Sequence, residues 1–483
     1  MRQSPATGPV VEMVRKSAII EGGMSKRLIV ACDGTWLDSD SGFERDSIFP
    51  WNMNGHLQVP SNVTRFCRAL KSKTANGIPQ IVYYQAGIGS ENNWYDHLIG
   101  GGTGMGISEN IRAAYAFVAE NYQEGDEVFI VGFSRGAFTA RSVAGLISAI
   151  GLLTRRGMSY FYEVFTDWEN QVQPSYKSQW PDKPFPNRPN ITDPRYSEQM
   201  QALGLTRPKI IIKSVAVWDT VGSLGIPDIG ILPRPVTEYS FVNTVVDPNI
   251  EYAFQALALD ENRRPFSPTI WEKPDGQKLP HILKQCWFPG VHSNIGGGYD
   301  DQEIADITLA WMMSQMYKLL EFDSDYIMWA NSENVRYYAN EKQPKREWGM
   351  GEIYNVFVSY MRLAGSKVRT PGQYCATDGR TGAPTKRKLK NTNEHIHVSV
   401  RTRVQNKGPG TQDKGVYTPS SLKSFKMVDA GTQGWQWQLT GMGKGKNNED
   451  SVVILPEDTL GDVELKLLKT YPVSWGRVFG SSR

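Results

Sequence analysis

The sequence predicts an α/β class fold: a doubly wound, mostly parallel sheet with helices on both faces and cap insertions. Three observations lead there. Short apolar runs of strand length recur through the first three fifths of the chain, most of them rich in β-branched residues. These runs are continuous rather than alternating, as strands buried on both faces are. Between them lie segments whose apolar residues repeat at helical spacing.

The strands are expected at 28–32 (LIVAC), 81–84 (IVYY), 128–131 (VFIV), 210–218 (IIIKSVAVW) and 282–288 (ILKQCWF). Helices are expected at 62–73, with Ser61 as N-cap, and at 107–121, 135–150 and 303–320. In 107–121, Ile107, Ile111, Ala114, Tyr115 and Val118 share one face, leaving Glu109, Arg112 and Glu120 for water. Two stretches break the alternation. Residues 155–208 are dense in Pro, Tyr, Trp and Phe, and residues 323–395 carry charge clusters and loop signals. A structureless loop of that length is out of place in a compact domain. Both therefore read as insertions, with 155–208 as a cap. The expected organisation is a flexible arm at 1–24, a catalytic core at 25–320, and a region at 321–483 packed on that core. Within the last, 395–400 (HIHVSV) is strand-like.

Composition narrows the function classes. Of the 483 residues, 40% are hydrophobic and 21% charged, as in an ordinary globular protein. Lys and Arg number 53 against 50 Asp and Glu, so no basic excess asks for nucleic acid. No apolar stretch is long enough for a transmembrane helix, and the first residues lack the apolar core of a signal peptide. Cys32, Cys67, Cys286 and Cys375 are far apart with no CxxC pair, which argues against a metal cluster. Reduced, buried thiols and a cytoplasmic location are expected, with no cofactor and no metal.

The segment 128–141, VFIVGFSRGAFTAR, contains G-x-S-x-G as Gly132, Phe133, Ser134, Arg135 and Gly136. Alone this pattern says little, because a chain with 46 glycines meets it by chance. Here an apolar strand runs into it and a helix opening with small residues runs out, which is the strand–turn–helix elbow of a nucleophilic serine. The glycines let a strained serine backbone pass close to its neighbours. The turn lifts the Ser134 hydroxyl above the sheet and aims the helix N-terminus, with the Arg135 N–H, at a developing oxyanion.

Such a serine needs a base, and the base an orienting carboxylate, in the chain order Ser, acid, His. His56 and His97 precede Ser134. His281 precedes a strand, at the wrong end of the sheet, and His395 and His397 alternate in a strand-like segment. His292 follows the 282–288 strand in FPGVHSNIGGGYD, a loop at the sheet edge where open α/β sheets carry chemistry. Asp219 directly follows the 210–218 run, in AVWDTVGSLG, and is the candidate acid, with Asp228 as its nearest rival.

Asp33-Gly34-Thr35 evokes a phosphatase nucleophile loop, but Ala31 stands where that chemistry needs its aspartate. An oxyanion role fits better, with the Gly34 or Thr35 N–H as second donor. The run 100–106 (GGGTGMG) lacks the lysine of a phosphate loop and reads as a flexible lead into the next helix.

Taken together, VACDGTW, YYQAGIGS, GFSRGAFTAR, VWDTVGSLG and FPGVHSNIGGGY resemble, in that order over residues 25–315, the catalytic-domain family of type VI secretion phospholipase effectors. The resemblance implies an α/β-hydrolase fold and hydrolysis of carboxylic esters, including phospholipid acyl esters. It maps the family's Ser, Asp and His onto Ser134, Asp219 and His292. Asn294 departs from the aspartate the family commonly carries, which implies a local change of hydrogen bonding. Secretion and toxicity do not carry over, because nothing in the sequence encodes them.

The substrate expected is a small-molecule or lipid ester, with no nucleic-acid partner and at most transient contact with a membrane surface. The competing class is a catalytically silent scaffold serving as an interaction module. The aromatic residues of 155–208 (Tyr160, Phe161, Tyr162, Phe165, Trp168, Trp180, Phe185) read either as the lining of an acyl pocket or as a satellite core that touches no ligand.

Overall fold

Seven strands form one parallel sheet. They are β1 (Arg27–Cys32), β2 (Gln80–Gln85), β3 (Glu127–Phe133), β4 (Ile212–Trp218), β5 (Ile250–Ala258), β6 (Ile282–Phe288) and β7 (Glu394–Ile396), in the spatial order β7-β6-β5-β4-β3-β1-β2. The structure is a computed structural model and describes residues 25–34, 43–45, 55–57, 59–87, 104–173, 175–207, 210–221, 244–356, 365–378, 384–439 and 452–479. Every neighbouring pair in this sheet is parallel. The chain steps from β1 outward to β2, then returns to β3 on the other side of β1 and proceeds away from it. The strand order therefore reverses between β1 and β3, and the crevice at their C-terminal ends is where such sheets bind and react.

Side-chain alternation along the strands divides the core. Ile29 and Ala31 of β1 join Phe129, Val131 and Trp218 on one face, covered by α1 (Asn62–Ala69). Val30 and Cys32 join Val128, Ile130 and Val215 on the other, covered by α2 (Gly104–Asn121) and α3 (Ser134–Ile150), with α4 (Phe161–Glu169) and α5 (Pro194–Ala202) sharing the same core. After β6 come the short α6 (His292–Gly296) and α7 (Glu303–Met316), whose Ile304, Ile307 and Trp311 share the face of α1. The doubly wound α/β fold is thus present. Ser61 caps α1, accepting from the Thr64 N–H at 3.1 Å.

Three departures from the expected layout have physical causes. Strand β5 was not anticipated because its run, IEYAFQALA, carries a buried glutamine. Gln255 is satisfied inside the sheet, accepting from the Thr220 hydroxyl at 2.9 Å and donating to the Thr269 carbonyl at 3.1 Å. The segment 395–400 is not one strand. Strand β7 ends at Ile396, and the buried His397 caps helix α8 (Val398–Gln405), accepting from the Ser399 N–H. The core does not end at 320 either. Strand β7 completes the sheet, and an antiparallel sheet of β8 (Lys426–Asp429), β9 (Trp435–Leu439) and β10 (Val453–Pro456) packs Trp437, Leu439 and Leu455 against Leu257, Trp287 and Ile396.

The 155–208 insertion packs beside the sheet's helical layer. Phe165, Trp168, Phe185 and Tyr196 belong to the same core as α2 and α3, and Phe161 stacks on Tyr115 with ring centroids 4.9 Å apart. Buried Asp167 ties the insertion together, accepting from Arg188, Tyr176 and Tyr196. These aromatic residues cover the apolar outer faces of α2 and α3, so the expectation that they line an acyl pocket gives way to the satellite core.

Candidate active site

Ser134 sits at the junction of β3 and α3 with φ of 58°, a left-handed conformation rare for a side-chain-bearing residue. Two glycines make the junction sterically feasible. A Cβ on Gly132 would lie 2.5 Å from the Gly136 carbonyl oxygen, and one on Gly136 would collide with the backbone oxygens of Cys32 and Asp33. Strand, strained serine and helix thus follow one another without an intervening loop. No side chain caps α3. Burial pushes the half-buried Arg135 guanidinium down to about 10.

Asp219 follows β4 directly and is fully buried, with φ of 41°. Its N–H donates to the Ala256 carbonyl at 2.7 Å, which ties the turn to β5. Oδ1 accepts from the Ala258 N–H at 3.0 Å, and Oδ2 lies 2.6 Å from Nδ1 of His292. The guanidinium of Arg369 forks onto the same carboxylate, Nη1 to Oδ1 at 2.5 Å and Nη2 to Oδ2 at 2.9 Å. Burial alone would raise this carboxyl. Arg369 and His292 override it and hold Asp219 well below the usual carboxylate range.

His292 opens α6, just past the C-terminal end of β6. Its ring lies between Phe133, 4.7 Å away, and the edge of Phe266, 5.0 Å away. Its backbone N–H points to Glu261 at 3.3 Å. Nε2 is buried and has no hydrogen-bond partner among the described residues. Gly296 has no side chain because a Cβ there would enter the Phe133 ring. Asn294 spans the loop, its oxygen accepting from the Val291 N–H at 3.1 Å and its amide donating to the Glu352 carbonyl at 2.9 Å. An aspartate could do the first but not the second.

The oxyanion loop differs from expectation. The Gly34 N–H already donates to Oδ1 of Asp33 at 2.7 Å, and Thr35 lies outside the described residues. Asp33 also accepts from the hydroxyls of Ser61, Thr64 and Tyr84, while burial pushes its carboxyl up to about 6. Gly34 matters here for its missing side chain. A Cβ would sit 2.9 Å from the Phe133 ring and 3.3 Å from Cβ of Ser134. The rival acid, Asp228, also lies outside the described residues. His281 is at the far end of β6, with its ring near Tyr252, and His397 stacks on Phe288 at the end of β6 but is paired with Glu464 at 2.9 Å. Arg369, Glu261 and Phe266 were not anticipated. Nothing in the spacing of Arg369, 150 residues beyond Asp219, could have flagged it. Among the described residues no group of His, Cys, Asp and Glu is arranged to hold a metal ion, and no helix is long and apolar enough to cross a membrane.

Residues 26–315 match the family described as the catalytic domain of Tle1-like phospholipase effectors of the type VI secretion system. The chain belongs to this family. The Tle1-like match runs from β1 through nearly all of α7 and includes Ser134, Asp219 and His292, but not Arg369. Over 230 residues the chain is 27% identical to the uncharacterized protein YEL023C of Saccharomyces cerevisiae, covering 43% of this chain and 30% of the yeast protein. It is similar to an uncharacterized protein from Pseudomonas aeruginosa of known crystal structure, at 16% identity and a TM-score of 0.34, over 70% of this chain and 53% of that one. It is also similar to the Tle1 effector in a structure bound to the VgrG spike, at 14% identity and a TM-score of 0.29, over 77% and 92% of the two chains. The chain thus spans less than a third of the yeast protein's length and about half of the Pseudomonas chain's.

Proposed function

We propose that this chain is a serine hydrolase that cleaves carboxylic esters, with lipid acyl esters as its substrate class, through a Ser134–His292–Asp219 triad. The observation that carries the reading is the buried 2.6 Å contact between His292 Nδ1 and Asp219 Oδ2, with Nε2 left unpartnered among the described residues and the imidazole ring 4.7 Å from that of Phe133, the residue before Ser134. With Nδ1–H donated to Asp219, Nε2 is the basic nitrogen. It takes the Ser134 proton as Oγ attacks the ester carbonyl. The oxyanion of the tetrahedral intermediate meets the N-terminus of α3, including the Arg135 N–H. Collapse breaks the C–O bond, and the imidazolium gives its proton to the departing alkoxide. Water, deprotonated by His292, then hydrolyses the acyl-enzyme and restores Ser134.

The lipid part of the reading rests on family membership. It calls for contact with an aggregated substrate during turnover, not for a membrane span. The test is covalent labelling of the full chain by a fluorophosphonate probe, with turnover of p-nitrophenyl esters measured beside release of fatty acid from phosphatidylcholine vesicles. The wild type should label and turn over, and Ser134→Ala should do neither. A wild type that never labels, or a Ser134→Ala variant with near-normal turnover, would overturn the assignment. Turnover of soluble esters without release from vesicles would leave a small-ester hydrolase in its place.

A further inference from the structure

We propose that Arg369 is a positioning residue of this site: its two-point grip on Asp219 fixes the carboxylate rotamer that orients His292. The inference rests on the triad reading above. Both terminal nitrogens of the guanidinium are fully used. Nη1 donates to Asp219 Oδ1 and to the Ala258 carbonyl at 2.8 Å, while Nη2 donates to Asp219 Oδ2 and to the Phe266 carbonyl at 2.8 Å. A planar fork on a carboxylate fixes angle as well as distance, which a lysine cannot reproduce. The segment carrying Arg369 is itself tied down by backbone pairing. Lys367 N–H donates to the Asn262 carbonyl at 2.9 Å, and Arg264 N–H to the Gly365 carbonyl at 3.1 Å. Beyond it, Gly372 N–H donates to Glu394 of β7 at 2.9 Å. The residues matched by the catalytic family end at 315, so the acid is seated by a part of the chain outside the family domain.

The grip also changes what His292 feels. The charged groups around the imidazole are Asp219 at Nδ1, Glu261 at the backbone N–H with Arg263 paired to it, and Arg369 behind Asp219. Asp260 stands on the same loop, held by the Gly290 N–H and the Tyr417 hydroxyl, with Arg403 beyond. Arg369 offsets the charge of the carboxylate that contacts the ring. Without it, the negative charge of Asp219 beside the imidazole would go uncompensated.

Two variants of the full chain test this. Arg369→Lys keeps the charge and breaks the fork. It should lower kcat about a hundredfold with KM kept, the scale of a small misplacement in a reacting site, and leave the acid limb of the pH–rate profile in place. Arg369→Met should lower kcat and move that limb to higher pH. A second measurement isolates the route of action: in an Asp219→Asn background, Arg369→Lys should have little further effect on kcat. Arg369→Lys with wild-type kcat, or with the same loss in both backgrounds, would overturn the proposal. So would a folded Arg369→Met with an unmoved limb. If Arg369→Met does not fold, the lysine variant and its double-mutant cycle decide alone. A wild type inactive on esters and unlabelled by the fluorophosphonate would instead mean that the triad reading had failed.

Discussion

His292 Nδ1 and Asp219 Oδ2 stand 2.6 Å apart, both buried, although 73 residues of chain separate them. Asp219→Asn should lower kcat by about a thousandfold or more while leaving KM near its wild-type value, because an amide there favours the wrong imidazole tautomer. It should also destabilise the fold by about 3 kcal/mol, since the buried Arg369 loses its counter-charge. Steady-state kinetics and urea denaturation read the two effects separately. Asp228→Asn should leave both near wild type, and the reverse pattern would make Asp228 the acid.

The elbow gives a second prediction. Gly136→Ala drives a Cβ into backbone oxygens of Cys32 and Asp33, atoms that move only if β1 moves. It should cost about 3 kcal/mol or more and depress activity. Gly204→Ala is the comparison: Gly204 has φ of +67° but open space around it, so only backbone strain remains, about 1 kcal/mol. Equal midpoints for the two variants would show that the close approach at Gly136 is not what demands glycine.

Much of this was legible in the sequence, and the rest was hidden for identifiable reasons. The strands of the sheet that read as unbroken apolar runs were visible, and so was the placing of Ser134, Asp219 and His292 just past the C-terminal ends of three of them. Strand β5 was concealed by Gln255, whose burial makes sense only once Thr220 and Thr269 are seen beside it. Arg369 was concealed because a single arginine in a loop has no local pattern, and its meaning lies in a contact that folding creates. The 155–208 aromatics announced a packed unit but not its location. Composition measures how much surface must be buried, not which neighbour buries it.

Stability should fall as pH rises from about 5 to about 9. Glu303 is pushed up to about 8 by burial, helped by nearby Asp301 and opposed by N–H donors from Gly349 and Gly351. Asp247 is pushed up to about 7, and Asp33 and Asp260 to about 6, again mainly by burial. Each folded carboxyl keeps a proton that the unfolded chain has already released. Its contribution is complete below the unfolded value and is lost as pH rises through the folded one. Asp219 and Glu261 are shifted the other way, so their contributions are present above their ordinary values and lost only in acid. Urea midpoints should therefore decline across this window, and Glu303→Gln should make the decline shallower. A flat or rising midpoint in the wild type would contradict this assignment of protons.

The last prediction separates the insertion from the chemistry. Trp168 is buried in the core shared by α2 and α3, with its ring 3.7 Å from where a Cβ on Gly145 would stand. Gly145 lies in the second half of α3, roughly three turns from Ser134 at the rise of a helix. Trp168→Ala should thus behave as a core truncation, costing about 3–5 kcal/mol. Were the insertion an acyl pocket, each methylene it buried would add up to about 0.8 kcal/mol, and the variant would flatten the rise of kcat/KM from acetyl to octanoyl esters. On the packing found here, that rise should keep its slope while the urea midpoint drops. Phe266→Ala is the counterpart. Its half-buried ring flanks His292 at 5.0 Å, so its loss should lower kcat/KM for every chain length with a smaller change in stability. If Trp168→Ala alters chain-length preference and Phe266→Ala leaves kcat/KM untouched, the acyl chain runs toward the insertion after all.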